Sequence, residues 1–152
     1  MGSDHGGTVL DSETARAAML AGAEFIVTPA VRPDVIQICN RYDKLVMSGA
    51  FTPTEVLNAW ELGSDVVKVF PAEIGGTTHL KALAGPFPQI RLLPTGGVNL
   101  NTISDFMKAG ACAVGLGSSL VTKDHLARGD FAGIQQLARA YVEKVREIRA
   151  NK

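Results

Sequence analysis

The sequence lacks an excess of charge of either sign and has no long apolar run. Its 15 Lys and Arg residues balance 15 Asp and Glu residues, so the formal net charge is zero. A balanced chain offers no basic surface for nucleic acid or an anionic membrane, and neither is expected as a partner. No apolar run reaches about 18 residues, the length that a transmembrane helix needs. A hydrophobic content of 46% argues against disorder and is typical of a folded α/β protein.

Cysteine and histidine are also scarce. Cys39 and Cys112 lie far apart in apolar stretches, which predicts buried thiols in a reducing cytoplasm rather than a disulfide framework. His5, His79 and His125 show no metal-ligand spacing, either among themselves or with the cysteines. We therefore expect neither a bound metal nor a cofactor.

The length of 152 residues suits one domain over residues 1–152. It is short for a complete (β/α)₈ barrel, which usually needs about 200–250 residues. Residues 1–6 have no signal-peptide pattern, and we interpret them as a junction that precedes the domain.

Short apolar segments alternate with helical patterns along the chain. From Phe25 onward the strand candidates begin every 20 to 24 residues, an interval that one βα unit fills. Such a repeat predicts a parallel sheet, which fits either an open doubly wound sheet or most of a barrel. The periodicity alone does not choose between these two. The predicted strands are Gly7–Leu10, Phe25–Thr28, Leu45–Ser48, Val66–Phe70, Ile90–Pro94 and Ala111–Gly115.

Signals for helix starts fit the same scheme. Thr52-Pro53-Thr54-Glu55 is a capping box, with Thr52 at the N-cap and Glu55 at the third helical position. Asn99 or Asn101 can cap a helix over residues 102–109. Each predicted helix follows a predicted strand, as the repeated βα unit requires.

The most informative residue is Lys68, which lies inside the apolar segment Val66–Phe70. Alternation along a strand places Val66, Lys68 and Phe70 on one face. Burial of an unpaired ammonium is costly, and desolvation lowers the pKa of a lysine. Because a neutral amine attacks ketones, Lys68 is a candidate Schiff-base nucleophile. The alternative is a lysine near a strand end whose ammonium extends to water.

Two glycine-rich turns follow the last two predicted strands. They are Thr95-Gly96-Gly97 and Gly115-Leu116-Gly117-Ser118-Ser119. Glycine lets backbone N–H groups approach a phosphate closely. A tight turn between strand and helix explains either one alone, whereas the pair matches the recurrent phosphate site after the last strands of a barrel. The candidate ligands are Thr95, Gly96, Gly97, Gly117 and Ser118.

Four further residues follow predicted strands or lie at their ends. Thr8 can donate to a substrate carboxylate, although a β-branched residue is equally suited to a strand. Pro29 either shapes the site or merely ends its strand. The capping box accounts for Glu55, whereas Glu73 has no such explanation and stands close to Lys68 in the sequence.

Five segments in a fixed order resemble the 2-keto-3-deoxy-6-phosphogluconate aldolase family, which includes 4-hydroxy-2-oxoglutarate and phosphogalactonate relatives. The segments are Gly22–Pro29, Phe51–Glu55, Val67–Glu73, Leu83–Gln89 and Pro94–Val98. The resemblance implies a (β/α)₈ barrel and a class I aldolase, usually a homotrimer, without a cofactor. It implies cleavage of a 2-keto acid phosphate to pyruvate and glyceraldehyde 3-phosphate.

The resemblance also implies roles for individual residues. By the family pattern, Lys68 forms the Schiff base, Phe70 packs at the pyruvyl group, and Thr8 contacts the substrate carboxylate. The phosphate is held by Gly96, Gly97 and Ser118.

The sequence departs from the family pattern at its start. In the family, an N-terminal helix and two βα units precede the segment that contains Thr8. The second of those strands carries a glutamate that shuttles protons, and an arginine for the carboxylate belongs to the same region. Counting from Gly7, the chain supplies about six of eight barrel strands, so we expect an incomplete (β/α)₈ barrel.

Two alternatives to an active aldolase remain at this stage. A sugar-phosphate epimerase would explain both glycine turns but gives no reason for Lys68 in an apolar strand. A catalytically impaired fragment or assembly scaffold derived from such an aldolase would keep the family sequence without the proton shuttle.

Overall fold

A computed structural model describes the backbone of residues 5–6 and all of residues 8–151. The described strands are β1 (His5–Gly6), β2 (Phe25–Val27), β3 (Leu45–Ala50), β4 (Val66–Val69) and β5 (Leu92–Pro94). The helices are α1 (Ser12–Leu20), α2 (Pro33–Arg41), α3 (Pro53–Glu61), α4 (Ala72–Ala84), α5 (Ile103–Lys108), α6 (Lys123–Arg128) and α7 (Phe131–Ala150). Strands and helices alternate through α5, as the repeat in the sequence predicts.

The five strands form one parallel sheet in the order β1-β2-β3-β4-β5. A doubly wound sheet reverses its strand order at a switch point, whereas a barrel adds each strand beside the previous one. The strictly sequential order therefore identifies a (β/α)₈-type sheet. Within the described residues this barrel is open, because no pairing joins β1 to the segment beyond β5.

Two predicted strands differ from the structure. The strand predicted at Gly7–Leu10 does not appear at those residues, because β1 is described at His5–Gly6 instead. Gly7 lies outside the described residues. Thr8 has a positive φ of 60°, which takes the chain out of the extended conformation, although the Val9 N–H still donates to the Val27 carbonyl at 3.0 Å.

The sixth predicted strand, Ala111–Gly115, is reduced to one bridge between Thr95 and Gly115. The Cys112 N–H also donates to the Leu92 carbonyl at 3.0 Å. With no strand described on its far side, this segment pairs along only one edge.

The helix starts largely follow the prediction. Thr52 caps α3, with Glu55 completing the capping box. The prediction for α5 was wrong, because Thr102 is the N-cap. Asn99 instead accepts hydrogen bonds from the Asn101 and Thr102 N–H groups at 2.9 and 3.2 Å, which builds the turn before α5.

Buried hydroxyl groups fix the register of the central strands. Thr28 and Ser48 are fully buried, and Thr28 accepts a hydrogen bond from the Gly49 N–H at 3.2 Å. Ser64 donates to the Val66 carbonyl at 2.8 Å and accepts from the Ser48 N–H at 3.0 Å. These bonds tie the end of β2 and the start of β4 to the middle of β3, which fixes how the three strands align.

The described part of the chain carries no helix that is both long and apolar enough to cross a membrane. Over the same residues, no group of three or more His, Cys, Asp and Glu side chains is placed to hold a metal ion. Cys39 is buried, and desolvation raises the pKa of its thiol to about 11. Cys112 is half-buried, and burial raises its pKa as well.

Candidate active site

Lys68 lies in the middle of the sheet and is almost inaccessible. It belongs to β4, pairs with Gly49 of β3 and Leu93 of β5, and is only 8% exposed. Desolvation lowers the pKa of its amine. Within the described residues no carboxylate lies within 4.0 Å of its Nζ atom to form a salt bridge. Burial without a described counter-ion therefore favours the neutral form of this amine.

Phe70 shares the face of Lys68, as strand alternation predicts. The Nζ atom lies 4.6 Å from the centroid of the Phe70 ring. The ring is 37% exposed, so it forms an apolar boundary between the amine and the opening of the site. The Phe70 N–H donates to the Ala50 carbonyl at 3.0 Å, which fixes the backbone at this point.

Gly49, opposite Lys68, allows the turn after β2 to approach the sheet. A Cβ at this position would lie 2.2 Å from the carbonyl carbon of Pro29, which no side chain tolerates. Pro29 thus packs on the backbone of β3 beside Lys68. This packing gives Pro29 a structural role, whereas the sequence alone left its role open.

The turn after β3 is held from two sides. Glu55 accepts hydrogen bonds from the Phe51 and Thr52 N–H groups at 2.9 and 2.8 Å, and these bonds lower the pKa of its carboxyl. The His79 Nε2 atom lies 2.8 Å from the Phe51 carbonyl oxygen, and the two rings stack with centroids 4.5 Å apart. Gly76 has φ 58° and ψ −158°, a conformation essentially restricted to glycine, and it bends α4 before His79.

A cavity of about 460 Å³ opens at the carboxyl ends of β4 and β5. It brings together six of the residues that the sequence singled out as site candidates. These are Phe70, Thr95, Gly96, Gly97, Gly117 and Ser118. The remaining lining residues are Glu73, Val98, Asn99, Gly115 and Ser119.

The turn after β5 contains two adjacent glycines. Gly96 and Gly97 have φ values of 97° and 70°, which favour glycine and leave the backbone of the turn open to close approach by a ligand. The Thr102 hydroxyl donates to the Gly97 carbonyl at 3.0 Å and holds the turn. The arrangement can bind an anion through backbone amides, without a cationic side chain.

The Thr95 hydroxyl is an unsatisfied group in this cavity. Its oxygen is buried and has no hydrogen-bond partner within the described residues. A Cβ at Gly115 would lie 2.1 Å from that oxygen, so glycine is required there. A buried polar group without a partner costs about 1–3 kcal/mol, which a bound polar ligand can recover.

Lys68 and Thr8 do not line this cavity, although the Lys68 Nζ atom contacts Phe70, which does. Thr8 follows β1 and has a φ of 60°. Positive φ is unusual for a β-branched residue, and such strain tends to occur at functional sites. Pro29 also does not line the cavity, although it lies beside Gly49.

Residues 5–137 match the family described as KDPG and KHG aldolase. The chain belongs to this aldolase family. The 2-dehydro-3-deoxy-phosphogluconate aldolase of Pseudomonas aeruginosa is 38% identical over 144 residues, which cover 94% of this chain and 66% of that protein. The chain therefore spans about two thirds of the length of this curated relative.

Solved structures of KDPG and KHG aldolases have the same fold. A native KDPGal structure matches with a TM-score of 0.86 and 32% identity, covering 95% of this chain and 68% of that one. The KDPG aldolase of Legionella pneumophila, with pyruvate captured as a covalent carbinolamine, matches with a TM-score of 0.79 and 27% identity. That match covers 86% of this chain and 64% of that one.

Part of the lining of this cavity was not predicted from the sequence. The sequence indicates Asn99 only as a helix cap and Ser119 only as a neighbour of Ser118. The signal for Asn99 was its position directly after a glycine turn at a strand end, where side chains converge in barrels. Glu73 was noticed beside Lys68, but the structure places it against Gly96 and Gly97 instead.

Proposed function

We propose that the chain acts as a class I aldolase, which cleaves 2-keto-3-deoxy-6-phosphogluconate to pyruvate and glyceraldehyde 3-phosphate through a Schiff base at Lys68. One observation carries this proposal. The amine is 8% exposed, has a lowered pKa, and lies behind Phe70. An amine in these surroundings is held in the nucleophilic form that imine chemistry needs.

The proposed reaction begins at the C2 ketone of the substrate. The neutral Lys68 amine attacks C2 to give a carbinolamine, which loses water to form a protonated imine. The C3–C4 bond then breaks, its electron pair moves into the imine as an enamine, and the C4 hydroxyl loses its proton as the aldehyde forms. Protonation of the enamine at C3 and hydrolysis release pyruvate and restore Lys68.

The carbinolamine trapped in the Legionella pneumophila relative supports the first covalent step. In this chain Phe70 would cover the pyruvyl group, because its ring centroid lies 4.6 Å from Nζ. The barrier that the ring forms keeps water from the amine and so favours its neutral form.

The remaining substrate groups are assigned by position. The amides of Gly96 and Gly97, with Gly117 and Ser118 opposite, would hold the phosphate, since they line one cavity. The Thr95 hydroxyl, which has no partner among the described residues, would form a hydrogen bond with the middle of the substrate. Thr8 and Pro29 would lie at the carboxylate end, because both follow strands on the other side of Lys68.

The assembly and location are part of the same proposal. We expect a homotrimer, as the family resemblance implies, and association would cover the edges of the sheet that are unpaired within the described residues. The two cysteines are unpaired thiols with raised pKa values, which suits a reducing cytoplasm. We also propose one domain over residues 1–152, although the family match and β1 both begin at residue 5, inside the segment interpreted as a junction.

Borohydride reduction in the presence of pyruvate tests the chemistry. The reduced pyruvyl group should appear at Lys68 alone and should disappear in Lys68→Ala. Lys44→Ala is the matched control and should retain the adduct. Labelling spread over surface lysines such as Lys108 would contradict the proposal and would favour the scaffold alternative.

A further inference from the structure

Glu73 is the only charged residue among the described residues that line the cavity. The same cavity contains the amides proposed to bind the substrate phosphate. A site proposed for a dianion is therefore bordered by one negative charge, and no described cationic side chain lines it to offset that charge.

The contact between Glu73 and the glycine turn is close. A Cβ at Gly97 would lie 2.6 Å from the Glu73 Cβ and 3.4 Å from its Oε2 atom. A Cβ at Gly96 would lie 3.5 Å from the same Oε2 atom. The carboxylate thus lies directly over the turn, on the side that faces the cavity.

The backbone fixes this placement. The Ala72 N–H donates to the Thr95 carbonyl at 2.8 Å, so the first turn of α4 is attached to the glycine turn. Glu73 follows immediately, in the first turn of a helix, where a carboxylate is favoured by the helix dipole. The dipole explains an acid in this turn, but not its position against Gly96 and Gly97.

The carboxylate itself accepts no hydrogen bond from any described residue. It is exposed, so water solvates it. A phosphate on the Gly96–Gly97 amides would meet this charge at a distance of only a few ångströms. Two anions at that range repel, and the repulsion grows with the charge of the ligand.

We propose that Glu73 is a specificity-determining residue, which weakens binding of doubly charged phosphate at the Gly96–Gly97 turn. The backbone amides still bind the phosphate of the proposed substrate, and the Glu73 carboxylate lowers this affinity more for a doubly charged end than for a singly charged one. This inference rests on the proposed function, because it takes the turn to be the phosphate site.

The test measures binding of inorganic phosphate by calorimetry near neutral pH and at low salt. Glu73→Gln keeps the shape and removes the charge, and it should bind phosphate about five- to tenfold more tightly than the natural chain. The difference should narrow as salt is raised to about 1 M, where screening is nearly complete. If the glutamine variant does not fold, Glu73→Ser is a second neutral variant that suits a helix start.

Two controls separate charge from other causes. Glu61→Gln removes one negative charge at the far end of α3, away from the cavity, and should change phosphate affinity less than twofold. Glu73→Asp keeps the charge and should remain near the natural chain. Equal affinities for the natural chain and Glu73→Gln would overturn the inference. Absence of phosphate binding to both proteins would also overturn the inference. The same gain in phosphate affinity in Glu61→Gln or Glu73→Asp would overturn it as well.

The pyruvate adduct at Lys68 is measured on the same proteins. It does not require the phosphate turn, so it should form in every variant. A chain that forms the adduct but binds phosphate equally well with and without the Glu73 charge refutes only this inference. A chain that forms no adduct at Lys68 refutes the proposed function, whatever the phosphate measurements show.

Discussion

The Nζ atom of Lys68 lies 4.6 Å from the centroid of the Phe70 ring, two residues further along the chain. The burial of Lys68 also accounts for its reactivity, because the Phe70 ring excludes water from an amine that has no described counter-ion. The site therefore depends on an unfavourable arrangement that the rest of the sheet must support.

The first prediction concerns stability. Lys68→Met should be more stable than the natural chain near neutral pH, by on the order of 1 kcal/mol, because burial disfavours the protonated amine whereas an apolar side chain of similar size carries no such cost. The folded-state pKa of Lys68 is lowered, so its unfavourable contribution is fully present below that pKa. This unfavourable contribution is lost as pH rises toward the lysine pKa of the unfolded state, about 10.4.

Denaturant titrations at several pH values measure this difference. The advantage of Lys68→Met should shrink steadily as the solution becomes alkaline. An advantage that stays constant with pH would mean that charge burial is not its cause.

The second prediction concerns the pH dependence of the Schiff base. Only the unprotonated amine attacks pyruvate, so the rate of adduct formation should rise with pH and level off above the pKa of Lys68. Its midpoint should lie below the ordinary lysine value of about 10.4, because burial lowers the pKa. Single-turnover borohydride trapping across a pH series gives the midpoint directly. A midpoint at or above the ordinary value would exclude a desolvated nucleophile.

The third prediction uses two glycines in the last turn. Gly115→Ala should destabilise the fold by about 1–3 kcal/mol, because its Cβ would lie 2.1 Å from the Thr95 hydroxyl oxygen. Gly117→Ala should be nearly neutral, since no atom lies within 4 Å of its added Cβ. Thermal unfolding of the two variants provides the comparison, and equal losses would contradict the packing described for Thr95.

The fourth prediction separates the two ends of the substrate. Gly97→Val should weaken binding of phosphorylated ligands much more than formation of the pyruvate adduct, because the new side chain would displace Glu73 and distort the turn. Gly129→Val is the matched control, since Gly129 also has a positive φ of 62° but has open space around it. A parallel loss of phosphate and pyruvate in Gly97→Val would argue that the turn is only structural.

The fifth prediction concerns turnover. We expect this chain to cleave 2-keto-3-deoxy-6-phosphogluconate at least about 100-fold more slowly than a full-length relative, because general acid–base catalysis typically contributes 10²–10⁴-fold. No described carboxylate lies within 4.0 Å of Lys68 Nζ to take that role. A coupled assay of pyruvate release, run beside the Pseudomonas aeruginosa enzyme, measures the difference. Turnover within about tenfold of that enzyme would show that another group supplies the proton.

Much of the barrel could be predicted from the sequence because each unit carries its own local signals. The capping box at Thr52 and the alternation around Lys68 are such signals, and both are confirmed. The positions of Thr8 and Gly115 were not predictable in this way. A strand end is set by pairing with a neighbour, and local sequence does not show where that pairing stops.

The same distinction between local signals and distant contacts applies to the residues of the candidate site. The glycine turns and Lys68 were found because their residue types are unusual for their setting. The position of Glu73 depends on the hydrogen bond from Ala72 to Thr95, which joins two distant segments. Sequence proximity suggested Lys68 as its neighbour, whereas the fold placed the carboxylate over Gly97.

The sequential strand order also bears on how the chain folds. Each described strand pairs with the one before it, so each strand pairing joins segments about one βα unit apart. Parallel pairing across such a crossover is slow, but each strand needs only the unit that was made before it. We expect structure to grow from one unit to the next as the polypeptide leaves the ribosome, without waiting for its last helix.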